Sequence, residues 1–558
     1  MSRAIVTGLL SGLNGIGWSA SPTYGGDLNV GTVHITLSPL SWDPADWTWK
    51  SNHDHGSARE QLFAGDLTKS KRNGGPYSFI AEAYLPTDSM RGELAEHWYW
   101  EDPLTLVVKL RKGVMFPTKP GVMEARELVA DDVVYSYDLV NESPKRIATY
   151  FDHIKTVEAR DDHTVVFHLR HFNAEWSYRF GYGYYSGISP REMSQVDRKS
   201  WKNVTGTGPF QLERYIQANA HIYRKNEHYW DRIRLGQESY PLPFVDRVIY
   251  RIIKDEATYL TALRTGQLDI LEAIRWIAVD HLKKTTPELQ WNRYLATGGQ
   301  FISLRVDQKP FDDIRVRRAM NLAVNQQEIV DHFYGGHAEL MAYPQHPEFG
   351  EYFEPLEAMP AAVQELFTHD PKEARRLLDE AGVPEGFAFD LQVCSCSPSH
   401  MDLVPLLESY FAQVGLKTNI QTMEYASFLS AMTTKTHGPA YLLTSGHTNP
   451  MTTIRKSFVS GQTWNPSQYS DPEFDEKVRV LHETRDEQER IKILRGLTRE
   501  MLEKAPYVWL PTPYVHTAWW PWVKNYGGEL RAGAVRPWPI YARLWIDHEL
   551  KKQMGFEK

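Results

Sequence analysis

GELAEHWYWEDPLTLVVKLRKGVMF, residues 92–116, changes character at its midpoint. From Leu104 onward, Leu104, Leu106, Val108 and Leu110 fall on one side and Thr105, Lys109 and Arg111 on the other, the period of two of a strand with one buried face. Trp98 to Trp100 precede it in the same strand region and read as packing. The next stretch, LVADDVVYSYDLV (128–140), predicts a helix starting at Asp131, with Val133, Val134, Tyr137 and Val140 spaced along one face. HTVVFHLR (163–170) returns to alternation through Val165, Phe167 and Leu169. Further on, DPKEARRLLDEAG (370–382) carries a complete set of helix signals: Asp370 as cap, Pro371 at the first position, Glu373 closing a capping box and Gly382 past the end. DEQERIKILRGLTREML (486–502) repeats the start with Asp486 and Glu489 and buries Ile491, Leu494, Leu497 and Met501. The chain therefore reads as α/β.

A chain of 558 residues exceeds what one core supports, so two or three domains are expected. Hydrophobic residues make up 42% and charged residues 24%, the balance of a globular protein, and no apolar run reaches the roughly 18 residues of a membrane span. Lys plus Arg number 62 against 70 Asp plus Glu, a formal charge of -8, which disfavours nucleic acid and anionic lipid. The 18 Trp and 29 Tyr are core formers that also stack on ligands. Cys394 and Cys396, two apart, lack the spacing of a zinc site or of the usual redox pair and read as inert packing. Residues 1–22 carry Arg3, a moderately apolar run from Ala4 to Trp18 and small residues before Pro22, the pattern of an export signal or a tail outside the fold.

Enzyme signatures are missing: there is no G-x-S-x-G, H-E-x-x-H, Walker-type phosphate loop or complete G-x-G-x-x-G. GTGPF (206–210) reads as a tight turn, and His53-Asp54-His55 as a solvent-facing helix start in place of a metal site. No metal and no cofactor is expected. A glycosidase-like carboxylate pair is the enzyme alternative, since acidic residues are plentiful.

Eight segments, in order, resemble one family. GELAEHWYWEDPLTLVVKLRKGVMF with LVADDVVYSYDLV is similar to the signature region of bacterial extracellular solute-binding proteins of family 5, the oligopeptide-binding type serving ATP-binding cassette importers. IKTVEARDDHTVVFHLR (154–170), GTGPFQLERY (206–215), YRKNEHYWD (223–231), ALRTGQLDI (262–270), FDDIRVRRAMNLAVNQQEIV (311–330) and YSDPEFDEKV (469–478) resemble its following blocks. The resemblance implies a two-lobed periplasmic-binding-protein fold of class II and the three-domain type, with mixed sheets. A discontinuous first domain would comprise 23–61, 188–296 and 506–558, an extra second domain 62–187, and the opposite lobe 297–505. Hinges are expected where the chain crosses near Ala296 and Ala505. The implied function is non-catalytic: a periplasmic or surface-anchored monomer that captures a small solute between closing lobes and passes it to a membrane permease.

YLLTSGHTNP (441–450) bears on the ligand. In peptide-binding members of the family the corresponding strand end reads W-x-x-D-Y-x-x-P, its aspartate pairing the ligand's ammonium group. Aligning the proline with Pro450 puts Leu443 at the tryptophan, Gly446 at the aspartate and His447 at the aromatic position. A buried ammonium without a partner is costly, so the missing carboxylate argues for a neutral polyhydroxylated ligand, an oligosaccharide, held by stacking rings and neutral polar groups. The expected contacts are Ser445, Gly446 and His447 at the strand end, with Trp42, Trp47, Trp49, Trp464, Tyr514 and Trp519 as stacking groups. An oligopeptide and a metal chelate are the alternative ligands.

Overall fold

The computed structural model describes residues 21–32, 41–46, 49–147, 150–446 and 448–557. The expected leader, at 1–22, therefore lies almost wholly outside the described residues, as do Trp47 and His447. Among the described residues, the strands form two large mixed sheets and a four-stranded antiparallel one.

The largest sheet runs in the order Phe210–Ile216, Ala220–Lys225, Arg247–Arg251, Asp27–Gly31, Ile270–Arg275, Thr512–Trp519 and Gln290–Leu295. Asp27–Gly31 is parallel to both neighbours, and its Leu28 and Val30 are fully buried, as a central parallel strand requires. The second sheet runs Leu416–Met423, Phe387–Cys394, Ala440–Gly446, Gly298–Leu304 and Tyr507–Trp509. Its period of two sorts side chains into two cores. Ile302, Leu304 and Val508 face a core shared with the helices Ile314–Ala323, Pro371–Glu380 and Pro398–Gln413. Phe301, Tyr507 and Trp509 face the other, with Pro450–Phe458, Pro472–Glu483 and Glu487–Lys504. The four-stranded sheet, Ala95–Asp102, Thr105–Leu110, Thr164–Leu169 and Ile154–Asp161, packs Leu106, Val108, Val165 and Phe167 against the helix Ala130–Asn141.

The capped helices form where the sequence predicts them. The Asp370 carboxylate accepts from the Glu373 amide at 2.9 Å and that of Asp486 from the Glu489 amide at 2.8 Å. Other expectations shift. The helix predicted from Asp131 starts at Ala130, because Asp132 reaches back to the Val129 amide at 3.1 Å while Arg126 clamps the same carboxylate at 2.8 and 2.6 Å. His53, Asp54 and His55 are buried, not solvent-facing. Lys50 pairs with Asp54 at 2.6 Å, and the His53 ring packs on Tyr250 at 5.0 Å. Cys394 and Cys396 are joined by a disulfide, where the sequence reading expected inert side chains.

The chain passes from the first sheet to the second between Leu295 and Gly298, beside the predicted crossing at Ala296. It does not return at Ala505. Tyr507–Trp509 still pairs with Phe301, Ile302 and Ser303 of the second sheet, so the return falls at 510–511. Among the described residues, no helix is long and apolar enough to cross a membrane.

Candidate ligand-binding cleft

The strand Ala440–Gly446 pairs antiparallel with Gly298–Leu304, setting Gly446 opposite Gly298 and Ser445 opposite Gly299 at the edge where the chain changes lobe. Asn449 then caps the helix Pro450–Phe458, its side chain accepting from the Thr452 amide at 2.9 Å. That helix buries Met451, Ile454 and Phe458 in the core. Thr452, Arg455 and Lys456, at i, i+3 and i+4, line a cavity of about 310 Å³ between the lobes.

Aromatic rings wall the cavity from both sides. Tyr425, Phe428, Tyr441 and Trp464 come from the lobe built on the second sheet, and Trp49, Tyr150, Tyr178, Tyr184 and Tyr185 from the opposite one. Trp49 of one lobe and Tyr425 of the other both line it. Phe428 stacks on Tyr441 with centroids 4.0 Å apart, which fixes that wall.

The polar lining is charged. Glu82 enters from the first lobe, its carbonyl accepting from the Val535 amide at 2.8 Å and its carboxylate from the Tyr184 hydroxyl. Lys456 enters from the second lobe and donates to the Gly446 carbonyl at 2.6 Å and the Thr448 hydroxyl at 2.9 Å. Burial lowers its ammonium to about 8, against the pull of Glu82. Arg455, half-buried like Lys456, is lowered to about 10 by desolvation, with Arg179 adding to the effect and Glu175 opposing it.

Behind the cavity Glu175 and Arg179, both about 1% exposed, form an ion pair. The Thr452 hydroxyl donates to Glu175 at 2.8 Å, and the Ala174 amide donates to the His482 carbonyl at 2.7 Å, so this cluster ties the lobes together. Burial works against the Glu175 charge, but Arg179, His482, Arg455 and Thr452 outweigh it and hold the carboxyl at about 2.

Of the residues expected to meet the ligand, Trp49, Ser445, Gly446 and Trp464 line this cavity. Three others sit elsewhere. Trp42 stacks on His55 at 5.2 Å and meets Tyr215 edge-on. Tyr514 hydrogen-bonds Glu339 at 2.5 Å beneath the Arg293 guanidinium, and Trp519 is 5% exposed in the core against Tyr526. Among the described residues, no group of three or more His, Cys, Asp or Glu is arranged to hold a metal. Sequence reasoning missed Glu82, Arg455, Lys456 and the tyrosines of 178–185. Two adjacent cations on a helix whose other face is apolar, one turn after Pro450, are the signal that marks Arg455 and Lys456.

A ringed, partly charged cavity enclosed by two lobes that the chain joins at two crossings is the architecture of a solute-binding protein. The family model for bacterial extracellular solute-binding proteins, family 5 Middle, matches residues 89–466. The chain belongs to that family, the binding components of ATP-binding cassette importers, and is not an enzyme. It is 28% identical over 511 residues to di/tripeptide-binding protein 1 of Pseudomonas aeruginosa, covering 86% of this chain and 87% of the relative. With the dipeptide-binding protein of Escherichia coli it shares 25% over 475 residues, 80% and 85% of the two chains. The periplasmic binding protein DppA of Helicobacter pylori, solved with the peptide STSA, superposes with a TM-score of 0.76 at 22% identity, covering 94% of this chain and 99% of that one.

Proposed function

We propose that the protein captures a short peptide, of two or three residues, and delivers it to the permease of an ATP-binding cassette importer from the periplasm or the outer cell surface. The observation that carries this reading is the two-signed lining, with Glu82 on one jaw and Arg455 and Lys456 on the other, among aromatic walls. A zwitterionic ligand engages both signs, whereas a neutral oligosaccharide brings no charge to meet Glu82 or Lys456. The neutral-ligand expectation from the strand end is therefore replaced: Gly446 carries no carboxylate, yet the cleft contains one. Two similar proteins bear dipeptide or di/tripeptide in their names, and a structural neighbour holds a peptide, which supports the same choice. The volume, about 310 Å³, lies at the small end of the roughly 300–1,000 Å³ usual for ligand clefts. The lobes close by rotation about the crossings at 296–297 and 510–511. Calorimetric titration of ligand-stripped protein with di- and tripeptides, and in parallel with di- and trisaccharides, tests the reading. Peptides are expected to bind at about micromolar Kd or tighter; binding of saccharides alone would overturn it.

A further inference from the structure

We propose that Glu82 receives the ammonium end of the ligand, from the lobe opposite the strand end, so that recognition of that charge and closure of the cleft are one event. The inference rests on the peptide reading above and adds which residue takes the cationic end.

The geometry at Gly446 carries it. A Cβ built there would lie 2.0 Å from Glu82 Oε2 and 2.6 Å from Oε1 and Cδ. The Glu82 carboxylate thus fills the volume that a side chain at 446 would take, and an aspartate at 446 and the present Glu82 position exclude one another. Gly446 is the residue that lets a carboxylate from across the cleft reach the strand end. Glu82 is held there at both ends, by the Val535 amide on its carbonyl and by the Tyr184 hydroxyl on Oε1.

The strand end offers an ammonium little else. The Gly446 carbonyl already accepts from Lys456 at 2.6 Å, and Lys456 and Arg455 on the adjoining helix are cations. A ligand lying on the second lobe alone meets positive charge for its carboxylate and rings for its side chains, and among the described residues of that lobe lining the cavity none is an anion for its amine. Closure brings Glu82 and the Tyr184 ring, a carboxylate beside an aromatic face, which suits an ammonium. A contact available only in the closed state is what shifts an open–closed equilibrium.

The test uses the full protein, stripped of ligand, and a panel of dipeptides, each with a free and an N-acetylated amino terminus. E82Q is expected to weaken the free dipeptides at least about thirtyfold and to leave the acetylated ones, weak already, unchanged. E82A/G446D, which returns a carboxylate to the strand, should bind free dipeptides about tenfold better than E82A, while G446D alone, crowding two carboxylates, should bind worse than wild type. If E82Q binds free dipeptides within about threefold of wild type, or loses free and acetylated forms equally, the assignment of Glu82 falls and the peptide reading stands. If the wild type binds no dipeptide of either kind, both fall together.

Discussion

Glu93 and Arg536 are fully buried and in contact, inside one lobe; Glu82 and Lys456 face each other from different lobes. The first pair is knitted into its surroundings: the Gln61 amide donates to the Glu93 carboxylate at 2.9 Å and the Arg111 side chain to the Glu93 carbonyl at 2.6 Å. The second is held through neutral partners, Tyr184 on one side and the Gly446 carbonyl with Thr448 on the other, and among the described residues neither member forms an ion pair. A buried charge closed by its opposite within one rigid core holds the fold. A half-buried charge held in place by neutral groups is poised for a charge that arrives from outside.

The largest effect is expected at the structural pair. Glu93→Ala leaves the Arg536 guanidinium buried without its carboxylate, a loss of about 3–5 kcal/mol of stability. Scanning calorimetry should show the thermal midpoint falling well below wild type, while the folded fraction binds peptide with unchanged affinity. An E93A protein as stable as wild type would break the comparison.

Lys456→Met should behave in the opposite way. Burial has already lowered Lys456 to about 8, below its unfolded value, so the ammonium costs stability below that pH and its removal should leave the free protein as stable or more so. Affinity for peptides with a free carboxyl terminus should fall by about 2–3 kcal/mol, roughly thirty- to 150-fold. The pH profile sharpens the point. Below pH 8 the ammonium is present before binding. Above it, binding a carboxylate must take up a proton, and affinity declines by up to about tenfold per pH unit. The peptide's own amine, ordinarily near 7.7–8.0, adds a second decline of the same sign. K456M should retain only the amine's share, and an unchanged slope in the variant would remove Lys456 from ligand recognition.

Much of the architecture was legible because its signals are local. Asp370, Asp486 and the alternation at Leu104–Leu110 depend on neighbours within a few residues, and the order of the family-like blocks fixed the rest. The strand end at 441–450 was legible as a cleft element for the same reason. What it faces was not: Glu82 reaches Gly446 only through the packing of two lobes, and nothing in FIAEAYL (79–85) marks that glutamate. The tryptophans divided by the neighbours that take their faces, since Trp42, Trp49 and Trp464 are all half-buried. Trp49 and Trp464 keep a face on the cavity, whereas Trp42 and Trp519 are claimed by His55 and Tyr526. The return crossing was ambiguous because Pro506 and Pro511 both punctuate APYVWLP (505–511), and the pairing of Tyr507–Trp509 with Phe301–Ser303 decides between them.

The smallest effect is expected at the disulfide, and it tests whether the aromatic wall belongs with the rigid pair or the poised one. Cys394 packs with Phe428, Met432 and Tyr441 behind the face these residues turn to the cavity, and Cys396 closes a loop of only three residues on it. On the chain-entropy estimate so short a loop contributes about 1–2 kcal/mol. Reduction with a phosphine should lower the thermal midpoint by a few degrees. Peptide affinity should change by less than about threefold, because the Phe428 and Tyr441 rings are already fixed by stacking on each other at 4.0 Å and by the Tyr441 hydroxyl on the Phe428 carbonyl. A larger loss on reduction, reversed on reoxidation, would mean that the wall depends on the disulfide for its position, and Cys394 would move from the structural side of the comparison to the binding side.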